Sequence, residues 1–88
     1  MKLKNGTVLT ESGDKTVLVA TGEAGKAFSG MIKLNSSAAF IAEKLKNDTD
    51  EDKIVAALLE KYDVTPEHAA ESVKAVIAKL EGVGLIER

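Results

Sequence analysis

Few residues in this chain have the types and spacing needed for chemistry. His68 is the sole histidine and the one side chain that titrates near neutrality unaided. General acid or base work would need a nucleophile or a second ligand set beside it, and the sequence names neither. Thr65-Pro66-Glu67-His68 reads instead as a helix start, with Thr65 as N-cap, Pro66 at the first helical position and His68 in the exposed first turn. Asp48, Asp50, Glu51 and Asp52 form an acidic run, but a calcium loop alternates its oxygens around a glycine and closes on a distant glutamate, a pattern missing here. Gly22-Glu23-Ala24-Gly25-Lys26 places a lysine after a glycine, as phosphate loops do. Its glycines are too close together, Ala27 stands where Ser or Thr would meet magnesium, and the following run reads as a strand, so we expect a flexible loop. Ser36-Ser37 lies at a helix start, where a carrier protein would bear its prosthetic arm. The Asp-Ser-Leu signature of carriers is missing, and capping accounts for both serines. With no cysteine, thiolate metal sites and disulfides are excluded. The reading is a non-enzyme with no catalytic residue, no metal site and no cofactor.

A binding module must then be positioned by its elements. The 88 residues, 44% of them hydrophobic, can enclose one modest core, so residues 1–88 are read as a single domain. With only three aromatics (Phe28, Phe40 and Tyr62), that core must be mainly aliphatic. Thr7 to Ser12 and Lys15 to Thr21 are rich in β-branched residues and meet at Gly13-Asp14, which predicts a hairpin. Phe28, Gly30, Ile32 and Leu34 share one face at strand period, which predicts a third strand over 28–34, with Met31 and Lys33 on its other face. Asn35 then caps a helix carrying Ala38, Ile41, Ala42 and Leu45. Thr49 or Asp50 caps a second helix, carrying Ile54, Val55, Leu58 and Leu59 and closing at Tyr62. The third presents Ala69, Ala70, Val73, Val76, Ile77 and Leu80 and stops at Gly82 or Gly84. Leu85-Ile86 either forms a short strand or packs on the core. The fold class expected is α+β and winged-helix-like, with three N-terminal antiparallel strands followed by a three-helix bundle.

No apolar run approaches the ~20 residues that cross a bilayer, and the start of the chain lacks a secretory signal, so a cytoplasmic protein is expected, with no membrane partner. Three helices ending in Leu80 to Ile86 also match the order of winged-helix DNA-binding regulators. The third helix, however, holds Glu67, Glu71 and Glu81 against Lys74 and Lys79 and has no Arg, Asn or Gln to read bases. The formal charge of −2 supplies no basic stripe for phosphates. A nucleic-acid partner is therefore not expected. A winged-helix protein-interaction or DNA-binding regulatory domain is the alternative to a peptide-binding module.

The third strand ending Leu34-Asn35, the small-residue run Ser36-Ser37-Ala38-Ala39 before Phe40-Ile41, the helix Ile54 to Tyr62, the Val73, Val76, Ile77, Leu80 helix and the Gly84-Leu85-Ile86 ending occur in the order of one known group. Over roughly residues 7 to 87 the chain resembles the PqqD-like family, the coenzyme PQQ synthesis protein D group that also supplies the recognition element for ribosomally made, post-translationally modified peptides. The resemblance implies a non-enzymatic adaptor, working beside a maturation enzyme such as a radical SAM protein. It would capture a precursor's leader peptide as an extra strand on the third strand, against the third helix. The residues implied are Ser29, Gly30, Met31, Ile32, Lys33 and Leu34 on the strand, with Met31 as an adaptable apolar contact and Lys33 facing an acidic leader. On the helix side are one flank through Ala69, Val76 and Val83, the deeper line of Val73 and Ile77, and the opposite flank through Ala70 and Lys74. Sequence leaves open which flank lines the groove.

Overall fold

The computed structural model describes residues 1–13, 15–28 and 30–87. The chain runs β1 (Lys2–Leu3), β2 (Thr7–Ser12), β3 (Lys15–Ala20), α1 (Gly22–Ala27), β4 (Met31–Leu34), α2 (Ser36–Lys44), α3 (Glu51–Lys61), α4 (Pro66–Gly82) and β5 (Ile86–Glu87). The expected α+β order is observed: an antiparallel sheet β2-β3-β4, then three helices, of which α2 packs on the sheet and α3 and α4 pack on α2 and on each other. The hairpin register runs from Thr7 opposite Ala20 to Ser12 opposite Lys15, which leaves a two-residue connection. Gly13, at φ +66°, supplies the left-handed backbone such a turn demands, while Asp14 lies outside the described residues.

Each of α2, α3 and α4 starts on a side chain named from the sequence, Asp50 rather than Thr49 serving for α3. The Asn35 side chain accepts from the Ala38 N–H (2.8 Å), Asp50 from the Lys53 N–H (2.9 Å) and Thr65 from the His68 N–H (3.2 Å). Caps of this kind are each worth about 1 kcal/mol. The acidic run is thereby accounted for locally. Asp50 caps α3, Glu51 and Asp52 occupy its first turn, and Asp48 accepts from the Met1 ammonium at 2.7 Å. That ammonium holds the Asp48 carboxyl below its ordinary range.

Among the described residues the core is wholly apolar. Leu18, Ile32 and Leu34 face inward from the sheet and meet Ile41, Ala42 and Leu45 of the α2 segment, Ile54 and Leu58 of α3, and Ala69, Val73, Ile77 and Leu80 of α4. Leu18 sits on the central strand and is completely enclosed. Leu18→Ala should cost about 2–5 kcal/mol, read as a lower urea midpoint at unchanged slope.

Three features depart from the expectations above. The glycine-containing run at 22–27 is a helix, not a flexible loop, and no phosphate-type loop is formed. It is held by tertiary contacts rather than propensity. Ala24 is fully buried and donates its N–H to the Asn5 carbonyl (3.0 Å), while the Thr21 N–H and hydroxyl both donate to the Gly6 carbonyl, at 2.8 and 2.7 Å. Gly6 permits this approach, since a Cβ there would stand 1.9 Å from the Thr21 carbonyl oxygen. Second, the third strand is shorter than expected: β4 begins at Met31, not Phe28. Third, Lys2–Leu3, not expected as a strand, forms β1 and pairs with β5 through Lys2 opposite Glu87 and Leu3 opposite Ile86. Leu85 packs in the core and Ile86 lies in a strand, as expected of that segment. Among the described residues no helix is long and apolar enough to cross a membrane.

Candidate peptide-binding edge and cleft

β4 is built to stay narrow and regular. Gly30, at φ +130°, turns the chain into it, and the Asn35 cap ends it by starting α2. Thr16 opposite Leu34, Val17 opposite Lys33, Leu18 opposite Ile32 and Val19 opposite Met31 fix the register with β3. With β3 on one side, the other side of β4 carries no strand among the described residues. Alternate residues of an antiparallel edge strand direct their N–H and C=O groups outward, so this flank offers main-chain partners to an incoming strand.

Beside the edge lies a cleft of about 200 Å³ between β4, the start of α2 and α4. Leu34 and Leu80, both core residues, form its floor, and Ala38 and the half-buried Val76 its walls. Ala75, Asn35, Lys33 and Lys79 stand at its rim, all four exposed. The arrangement pairs hydrogen-bonding groups along a strand with an apolar slot for one or two side chains, the two requirements of binding by strand addition. It contains no nucleophile–base pair. His68 is exposed at the start of α4, its backbone N–H capped by Thr65.

The residues named from the sequence separate into four groups. Lys33, Leu34 and Val76 line the cleft, and Met31, 63% exposed, stands on β4 with its side chain on the sheet's outer face. Ile32, Ala69, Val73 and Ile77 are buried, so their side chains serve the core and not the cleft. Ala70 and Val83 are half-buried and Lys74 is exposed, and none of them lines the cleft. Gly30 is exposed at the strand's start, and Ser29 lies outside the described residues. Of the two flanks left open for α4, the cleft uses the one through Val76, extended to Ala75, Lys79 and Leu80. Ala75 and Lys79 escaped sequence reasoning because they lie off the apolar stripe, and Asn35 and Ala38 because their capping and helical roles sufficed. The spacing of Ala75, Val76, Lys79 and Leu80 at three and four residues was the available signal.

Gly30→Pro, an obvious way to obstruct the edge, would confound binding with folding. Proline fixes φ near −65° and Gly30 sits at +130°. Even Gly30→Ala, whose methyl would meet nothing closer than the Phe28 ring at 3.8 Å, should cost about 1–3 kcal/mol through backbone strain alone, measurable by chemical denaturation.

An α+β domain with an open strand edge set against an apolar cleft defines a fold suited to receiving an extended chain. The chain belongs to the PqqD family: the family model described as Coenzyme PQQ synthesis protein D (PqqD) matches residues 15–86. Among solved structures, "TbiB1 in Complex with the TbiA(beta) Leader Peptide" superposes with a TM-score of 0.77 at 20% identity, covering 99% of this chain and 95% of that one. "Lasso peptide synthetase B1 complexed with the leader peptide" superposes with a TM-score of 0.75, also at 20% identity, covering 99% and 96%. At that identity the two structures establish a shared fold. No curated protein sequence matches the chain.

Proposed function

We propose that this protein is a non-enzymatic adaptor that binds the leader segment of a precursor peptide along β4 and presents it to a maturation enzyme. The observation that carries the reading is the juxtaposition of the open β4 edge with the cleft against α4. Main-chain bonds along the edge supply affinity without regard to sequence, and the cleft selects side chains. Membership of the PqqD family supports this reading, as do two structural relatives described as bound to leader peptides. Binding of this kind needs no reacting group on the adaptor. By analogy with the family, the enzyme served is a radical SAM protein or another peptide-modifying enzyme. The adaptor's contribution is effective concentration: holding the leader turns the enzyme's encounter with its substrate into a local event.

The test is a titration of isotope-labelled protein with the leader of a small precursor encoded beside its gene, following backbone amide shifts. Saturable shifts confined to residues 30–38 and 75–80, the edge and the cleft lining, are expected. Shifts elsewhere, or none with any neighbouring precursor, would overturn the proposal. A DNA-binding role would show as binding that weakens steeply with salt, because counterions are released from phosphates. Strand addition beside an apolar cleft should respond only modestly.

A further inference from the structure

We infer, building on the strand-addition reading above, that Lys33 and Lys79 form a two-point clamp that restricts the bound segment to one with an aliphatic side chain flanked by carboxylates. Both lysines border the same cleft, one from β4 and one from α4, and the cleft has no acidic residue in its lining. Both are exposed and neither forms an ion pair among the described residues. Three other clefts among the described residues carry acids in their linings: Glu11 and Glu43 between β2 and α2, Asp50 to Asp52 near Met1, and Glu23 and Glu87 beside Lys4. A basic rim on a chain of net charge −2 is thus a local feature.

The geometry of an added strand gives the clamp a reading frame. Side chains alternate along such a strand, so those turned toward α4 enter the slot floored by Leu34 and Leu80, and those turned away pass Met31 and Lys33. An aliphatic residue in the slot therefore has an immediate neighbour beside Lys33. The next residue on its own face lies two positions away, toward Lys79, which stands one helical turn beyond Val76. An acid at each of these places completes the charge complement. Rim charges of this kind mainly set selectivity and association rate.

A random peptide library displayed on phage, panned in parallel on the wild type, on Lys33→Glu/Lys79→Glu and on Val76→Glu, tests the clamp. Peptides recovered by the wild type and lost by the Val76→Glu protein define binding at the cleft. Among them we expect enrichment of Asp or Glu beside an aliphatic residue, replaced by Lys or Arg on the charge-reversed protein. Lys33→Ala and Lys79→Ala should each weaken a recovered peptide about two- to fivefold. Cleft-dependent peptides with no acidic preference, or with the same preference on both proteins, would overturn the clamp and leave strand addition standing. Recovery of no peptide that depends on the cleft would overturn both.

Discussion

Val76→Glu is expected to reduce leader binding about a hundredfold while leaving the protein folded. Val76 forms a wall of the cleft and is only half-buried, so in the free protein the new carboxylate reaches water. Glutamate is also a good helix former, and three residues before Lys79 it gains a helical ion-pair partner. Binding changes the balance. A peptide side chain seated over Leu34 and Leu80 would have to strip that carboxylate of water, at about 3 kcal/mol, the equivalent of two decades in affinity. The substituted glutamate would also engage the lysines that an acidic leader needs. Isothermal titration alongside a urea melt separates the effects, and an unchanged affinity in a stable Val76→Glu protein would place the ligand elsewhere. Val83→Glu, just past the end of α4 and off the cleft, should bind as the wild type does.

The second large effect is expected from the ligand's backbone. N-methylation of the bound peptide at alternate residues should lower affinity by about tenfold or more per site, and at the intervening residues should be tolerated. An edge of four residues, Met31–Leu34, presents two residues outward. Each offers one N–H and one C=O, and each bond is worth about 0.5–1.5 kcal/mol net. A methyl group removes a donor and also holds the two strands apart. The alternation is the diagnostic result, because a peptide lying in the cleft as a helix or an irregular loop would show no period of two. Main-chain bonds of this number fall short of the roughly 8 kcal/mol that micromolar binding requires, so the cleft must provide much of the rest.

How far the sequence foretold this arrangement depends on whether each feature is locally encoded. The hairpin, the caps at Asn35, Asp50 and Thr65 and the inward faces of the three helices are set by short-range chemistry and apolar period, and they stand where expected. α1 was illegible because its two glycines argue against helix. What holds it is the burial of Ala24 and the hydrogen bonds to the Lys4–Gly6 turn, contacts distant in sequence. The strand period in 28–34 was real for Ile32 and Leu34 but overran the strand's start, since the φ of Gly30 cannot be read from its neighbours. Period likewise marked Val73 and Ile77 as apolar without separating a buried line from an accessible one. The choice between the flanks of α4 depends on how the helix rotates against the sheet, and Lys79, polar and off the stripe, became visible only once that rotation was known.

The β1–β5 clasp holds the two ends of the described chain side by side, with Lys2 opposite Glu87 and thus about 5 Å apart between Cα atoms. Such a chain is a candidate for circular permutation. A linker of a few glycines should join residues 2 and 87, and new ends can be opened at the tight β2–β3 turn, leaving the β4 edge and the cleft against α4 with their original connections. The same closeness suits the chain to being spliced into an exposed loop of a host protein, at the loss of the Met1 ammonium's bond to Asp48. A peptide-capturing unit of this shape is portable: grafted near the catalytic face of an unrelated modifying enzyme, it would carry its own choice of substrate with it.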